Sequence, residues 1–495
     1  MAEDSQRILR RFYNPSLRRL RPAFVDLGAA RAVLPDGAAV DCPTGLSDVL
    51  CFADVDTIFC LNRGETDLLS FVQSSIGEGW RVDKWTATDN VNGGRIINDA
   101  RTVYVSELEQ SYFPKCESAG IAYQAFNELE RIFLNNQKGF GHTLNLANNP
   151  TTTGLFLLHM SLPVGKEYPA QDEELLSLIA QFTTQSRTEL LTPPRLKKIK
   201  NFYYFDARFM YAAAAFYELP AGEPVRDTLN RFEPYSVGWY RVRASVPSDW
   251  QHIGILPLRN PSEDRTQAKW LWPSEPGFIF DDILVTEPEL RLAISHGWPV
   301  EIKERILWPD KNAKPLRPWQ QRIVEMLAEA DALTGDARPH VRYAVKSLLY
   351  RAIGSMGARK ERQSYDISTE QFIAERREYT PDVRASMRFL DAGNIRVVKP
   401  KEKTAFRGLF SRYEWAAYVW ARARVALTER MLSIPRASIL GCRTDAVYLT
   451  ERPDWKDSGF PGQFICKGHL AGTLSAPHTH ADLLHLRTLA EEKGV

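Results

Sequence analysis

The sequence lacks most of the features that would place it quickly. It has no run of about 18 apolar residues; the nearest is the short stretch Phe209 to Leu219, so neither a transmembrane helix nor a membrane partner is expected. Six cysteines (Cys42, Cys51, Cys60, Cys116, Cys442 and Cys466) are spread over 495 residues without a CxxC pair. That is too sparse for a disulfide framework or a zinc site, and points to a reducing, cytoplasmic setting. The early arginines Arg7, Arg10, Arg11, Arg18, Arg19 and Arg21 are followed by no apolar h-region, so no secretory signal is expected. Neither sign of charge dominates, with 63 Lys plus Arg against 61 Asp plus Glu and a net charge of +2. The patterns G-x-x-x-x-G-K-[ST], G-x-G-x-x-G and the nucleophile elbow are missing, which leaves ATPase, dinucleotide and serine-hydrolase chemistry unsupported.

What is present is an ordinary globular composition, 44% hydrophobic and 25% charged, long enough for three or four folding units. Residues 1–115 alternate short apolar runs (Val49 to Phe52, Thr57 to Leu61) with Gly, Asn and Asp, as a small mixed α/β domain does. Apolar residues at helical spacing over Ile121 to Leu134 and Glu173 to Leu191 make 116–194 a helical connector, closed by Pro193-Pro194. Residues 236–308 read as a β-rich sheet with a helix near Glu287 to His296. Pro318 to Leu333 and Pro339 to Ile353 read as an αα-hairpin, Ser438 to Thr450 as one alternating strand after a long helix over 413–432, and His469, His478, His480 and His485 as part of a polar tail. Basic residues cluster at Arg195 to Lys200, Arg359 to Arg362, and Lys399, Lys401, Lys403, Arg407 and Arg412. Such patches suit phosphate contacts or simply a solvated face.

Two apolar strands each carry one acid, Asp206 after Tyr203-Tyr204-Phe205 and Asp445 within Leu440 to Leu449. An ionised carboxylate among apolar neighbours needs a partner; a salt bridge, a strand-end cap and a bound cation each satisfy that need. The surrounding text favours the cation. Tyr204-Phe-Asp206-Ala-Arg-Phe-Met-Tyr211 resembles motif A of the family B DNA polymerases. Arg342-Tyr-Ala-Val-Lys346 through Tyr350 to Gly354 resembles motif B, with Tyr350 and Ile353 where Asn and Tyr are usual. Cys442-Arg443-Thr444-Asp445 resembles motif C, with Arg443 in place of its first Asp. Gln185-Ser-Arg187 sits where protein-primed members carry a Gly-Gly-Arg-like template-strand loop, and Pro461 to Gly468 resembles the lysine segment, with Lys467, that approaches the primer terminus. The elements occur in family order over about residues 180–470.

The resemblance implies an α/β (α+β) right-hand fold: palm over 195–311 and 356–460, helical-hairpin fingers over 312–355, a short thumb or tail over 461–495, and an N-terminal domain in the place of a degenerate exonuclease. It implies a phage or plasmid type of polymerase that adds deoxynucleotides to a primer 3′-hydroxyl, with Asp206 and Asp445 catalytic and holding two Mg²⁺ (or Mn²⁺). Arg342 and Lys346, four apart on one helix, would hold the triphosphate. Tyr211 would pack on the incoming sugar and exclude a 2′-hydroxyl, and Arg187 and Lys467 would contact template and primer. The implied partners are primer-template DNA, dNTPs and a terminal or priming protein. No clear exonuclease signature stands in the first 180 residues, where Asp54 and Asp56 are the candidate acids. Against this reading stand a catalytically silent, nucleic-acid-binding scaffold and a metal-dependent nuclease using the same two acids.

Overall fold

The computed structural model describes residues 19–61, 67–88, 91–140, 143–162, 168–169, 171–261, 268–358, 362–368, 388–390, 394–400, 411–456 and 458–493. Most of the basic clusters at 359–362 and 399–407 therefore lie outside the described residues. The chain divides into two units, one of Met1–Leu162, Gln321–Ser355 and Glu361–Glu402, the other of Pro163–Gln320, Met356–Lys360 and Lys403–Val495.

The first unit is built on seven strands, β1 (Pro22–Asp26), β2 (Arg31–Val33), β3 (Ala39–Asp41), β4 (Thr57–Leu61), β5 (Arg81–Thr88), β6 (Val91–Ile97) and β7 (Thr102–Glu107), in the order β3-β2-β1-β4-β7-β6-β5. The central β1, β4 and β7 run parallel, and parallel strands are covered on both faces. Accordingly β1 and β4 are buried at every position. One face packs Val25, Ile58 and Cys60 on Leu46 and Val49 of α1 (Leu46–Leu50) and Leu68 and Val72 of α2 (Leu68–Ser75). The other presents Phe24 and Phe59 to Phe126 of α3 (Ala119–Asn135), at ring separations of 5.8 and 6.2 Å. The first helix of the expected connector is thus part of the N-terminal core. Its amphipathic spacing is real, but the surface it buries is this sheet. Next comes α4 (Pro150–Ser161), capped by the Asn149 side chain. A Cβ on its Gly154 would run into the Leu348 backbone, so only glycine permits that approach. The expected αα-hairpin forms as α8 (Arg317–Asp331) and α9 (Ala337–Met356), turned at Gly335 with φ +78°. Strands β16 (Arg362–Ser368), β17 (Arg388–Leu390) and β18 (Asn394–Pro400) make a small antiparallel sheet.

The second unit holds two main sheets. Strands β10 (Val225–Asp227), β11 (Val237–Ser245), β14 (Ile279–Thr286) and β15 (Val300–Trp308) form one, with β12 (Leu258–Arg259) and β13 (Trp270–Leu271) pairing separately. Its core joins Tyr240, Val242, Phe280 and Val285 to Leu290 and Ala293 of α7 (Glu287–Ser295). The start of α7 is set by a capping box, Thr286 and Glu289 bonding each other's backbone. The second sheet has the order β21-β9-β20-β19-β8, from β8 (Thr188–Leu190), β9 (Lys198–Ala207), β19 (Ile439–Arg443), β20 (Ala446–Leu449) and β21 (Phe464–Ser475). Helix α10 (Tyr413–Leu432) is buried around nearly its whole circumference and packs against α5 (Glu173–Phe182), α6 (Met210–Ala215), α7 and β20. The C-terminal residues, expected as a polar tail, instead form α11 (His480–Lys493), which sets Leu483, Leu486 and Ala490 on the second sheet.

Candidate active site

Aromatic and β-branched residues make β9 a strand, with Asp206 next to its last residue, Ala207. The text expected as one strand over Ser438 to Thr450 is instead a hairpin, β19 and β20 joined by the turn Thr444-Asp445. The turn has no Gly or Asn to announce it. Thr444 takes φ +61°, a conformation that is costly for a β-branched residue and found mainly at functional sites. Its N–H donates to the Arg187 carbonyl at 2.8 Å, which fixes the turn against the entry to β8.

The pairing of β20 with β9 sets Ala446 opposite Asp206, and the Ala207 N–H donates to the Asp445 carbonyl at 2.9 Å. Asp206 and Asp445, 239 positions apart in the chain, are therefore neighbours across adjacent strands. Phe209, three residues after Asp206, is left-handed at φ +51° and starts α6. That turn brings Tyr211 to Asp445: its phenol is pushed up to about 12, first by burial and then by the Asp445 charge, with Arg424 opposing. Burial and then the Asp206 charge push Tyr204 up in the same way.

Lys467 is exposed and is the extra residue of a bulge in β21, between Cys466 opposite Phe205 and Gly468 opposite Tyr204. A bulge re-aims one side chain beside a site; here the neighbouring pair is Ile465 with Asp206. Arg342 and Lys346 both lie on α9 in the first unit. Arg342 bonds Asp331 at 2.5 Å, and Tyr350, one turn beyond Lys346, donates to the Tyr343 hydroxyl at 2.7 Å.

Arg187 departs from its expected role. Its side chain is fully buried, held by Glu189 at 2.5 Å and Thr428 of α10 at 2.9 Å, and it lies over the Trp272 ring at 5.1 Å. Enclosed in this way it braces the hairpin and presents no guanidinium to a template strand. The other inward arginine, Arg424, joins α10 to the α7 cap through Glu289 at 2.6 Å and bonds the Thr184 carbonyl. The sequence does signal this cap in Thr286-Glu-Pro-Glu289, a T-x-x-E box, though nothing there identifies Arg424 as its partner. Asp54 pairs with Arg21 at 3.2 Å, and Asp56 accepts the Arg21 N–H at 3.0 Å, both just before β4.

Two carboxylates on adjacent strands are a hard-oxygen donor set that suits a divalent cation completed by backbone carbonyl, water and substrate phosphate. Among the described residues there is no cluster of three or more His, Cys, Asp or Glu that could hold a metal ion. No described helix is long and apolar enough to cross a membrane.

Comparison with solved structures finds phi29 DNA polymerase complexed with primer-template DNA and incoming nucleotide substrates, at 13% identity over 91% of this chain and 85% of that one, with a TM-score of 0.56. It also finds phi29 DNA polymerase complexed with single-stranded DNA, at 13% identity over 88% and 79%, with a TM-score of 0.52. At that identity the likeness establishes the fold, a right-hand polymerase architecture. No curated protein matches the sequence. The profile of DNA polymerase type B, organellar and viral, matches residues 108–384, a span that includes Asp206, Tyr211, Arg342 and Lys346 and stops short of Asp445 and Lys467. With more than half its length inside that match, the chain belongs to the organellar and viral type B DNA polymerases.

Proposed function

We propose that the protein is a template-directed DNA polymerase that adds deoxynucleotides to a primer 3′-hydroxyl at Asp206 and Asp445. The observation that carries this reading is the strand register: the motif A acid and the motif C acid meet across β9 and β20, with a backbone bond of 2.9 Å between Ala207 and Asp445. Asp206 and Asp445 would hold two Mg²⁺, or Mn²⁺, which would supply charge neutralisation for phosphoryl transfer. Their two carboxylates are hard-oxygen donors, and substrate phosphates would complete the set. Tyr211 lines the sugar position and excludes a 2′-hydroxyl, Lys467 contacts the primer, and Arg342 and Lys346 bind the triphosphate of the dNTP, Arg by its planar fork and Lys as a point charge.

We assign no proofreading to the first unit. In support, its two candidate acids are engaged by Arg21 just ahead of β4.

The test is primer extension on a primed template with Mg²⁺ or Mn²⁺. The wild type lengthens the primer, and Asp206→Ala and Asp445→Ala each lose at least about a thousand-fold in rate while still binding primer-template. Binding without extension by the wild type in either metal would make the protein a silent scaffold, and shortening of the primer would make it a nuclease.

A further inference from the structure

Arg443 stands where motif C ordinarily has its first acid, and the sheet register shows where it goes. Thr188, Arg443, Ala446, Asp206 and Ile465 lie opposite one another in turn across β8, β19, β20, β9 and β21. Directly opposed residues share a face, so Arg443 lies on the Asp206 side of the sheet, two strands away, or about 10 Å between Cα atoms. Only the single methyl of Ala446 stands between them. Arg443 and Asp445 are not successive same-face residues of one strand, because the Thr444-Asp445 turn separates β19 from β20.

The next row on that face is Leu190, Gly441, Tyr448, Tyr204 and Gly468, and α11 crosses it. A Cβ on Gly441 would meet Leu483 at 2.9 Å and one on Gly468 would meet the Ala490 carbonyl at 2.5 Å, while Arg487 lies over the Tyr204 ring at 4.7 Å. Arg487 and Arg443 both act on the hydroxyl of Tyr448. That hydroxyl is buried and has no well-formed hydrogen bond, with Arg487 beside it. Arg487 over Tyr204, and Arg443 one row from Tyr448 across the β19–β20 pairing, therefore place two guanidiniums on the Asp206 face of the sheet. Glu491 pairs with Arg487 at 3.1 Å, whereas Arg443 is exposed and no ion pair to it is found among the described residues. Arg487 thus has its counter-anion in Glu491, while the exposed Arg443 guanidinium is open to an added anion.

We propose that Arg443, with Arg487 behind it, forms a phosphate seat on the Asp206 face of the sheet, occupied by a phosphate of the polymerase substrate. This rests on the polymerase reading of Asp206 and Asp445. Two sources share the chemistry, a phosphodiester of the primer strand and the triphosphate of the incoming nucleotide. A guanidinium can grip either by paired N–H bonds.

The test compares wild type with Arg443→Ala and Arg443→Lys, an exposed position where folding is not at stake. Binding of a primer-template duplex is titrated over a range of NaCl concentrations without nucleotide, and the KM for dNTP is measured at saturating primer. If the seat takes a primer phosphate, Arg443→Ala weakens duplex binding about ten-fold and lowers the slope of log K against log salt by about one, with Lys recovering the slope. If it takes the triphosphate, duplex binding is unchanged and the KM for dNTP rises about ten-fold. Unchanged binding and KM in Arg443→Ala would overturn the seat. So would faster extension with a lower Mg²⁺ requirement, which would show Arg443 to be a neutralising partner of Asp206. The duplex titration needs no turnover, so a wild type that binds but does not extend defeats the polymerase reading while the primer-phosphate arm still stands or falls on its own.

Discussion

At the scale of single residues, the two acids are bracketed by backbone that the sequence alone would not choose. Thr444 and Phe209, neither of them glycine, both take positive φ, at a cost of order 1–3 kcal/mol each. The first turns the hairpin so that Asp445 meets β9. The second follows the end of β9 at Ala207 and starts the helix that brings Tyr211 back to Asp445. Tyr211 is consequently a placed ring whose phenol stays protonated, pushed up to about 12. Its size, more than its hydroxyl, should set sugar selectivity. Tyr211→Phe is expected to keep the wild-type preference for deoxynucleotides, whereas Tyr211→Val opens the space beside the sugar and raises ribonucleotide incorporation by about ten- to a hundred-fold relative to the matching deoxynucleotide. Single-nucleotide extension with dCTP and CTP in parallel reads this ratio. Equal ratios for Val and wild type would return Tyr211 to plain core packing.

At the scale of elements, legibility followed the kind of signal each element carries. The hairpin α8–α9 was readable because its apolar spacing and the Gly335 turn are local, and the buried helix α10 because its run is rich in Ala and Arg. The β19–β20 hairpin was not, because its Thr-Asp turn carries neither Gly nor Asn and only three polar residues, Arg443 to Asp445, interrupt the apolar run. Helix α11 escaped for another reason: its anchors are glycines on other elements, Gly441 and Gly468, whose purpose appears only when the helix lies on them. That dependence is open to measurement. Gly468→Ala forces the β21 backbone and the Ala490 carbonyl apart and should cost about 1–3 kcal/mol of stability, read as a lower unfolding midpoint. By contrast Gly120 lies within α3 with nothing within 4 Å of an added Cβ and no positive φ, so Gly120→Ala should stabilise by about 0.5–1 kcal/mol. Equal shifts in the two variants would mean that α11 does not rest on β21.

At the scale of the whole molecule, the meeting of Asp206 and Asp445 was legible as a family pattern before any fold was known, since each acid stands among apolar neighbours that cannot keep it unpartnered. The burial of Arg187 was not legible, because a basic residue in a polar segment looks the same whether it faces solvent or, as here, Trp272 and Thr428. Glu414 is a second hidden charge with a consequence for the entire fold. It lies in the first turn of α10, 1% exposed. Burial, with Arg412 opposing it, pushes its carboxyl up from 4.5 to about 7. Between those two values the folded chain keeps a proton that the unfolded chain has released, so this group makes stability fall as pH rises from about 4.5 to about 7 and then level off. Glu414→Gln carries the neutral shape at every pH. It should match the wild type near pH 4.5, pull ahead through the window, and exceed it by about 3 kcal/mol above pH 7. Denaturant unfolding of both proteins at pH 4.5, 6 and 8 measures the divergence. A constant offset between them would show instead that Glu414 is ionised throughout, with its charge neutralised inside the fold.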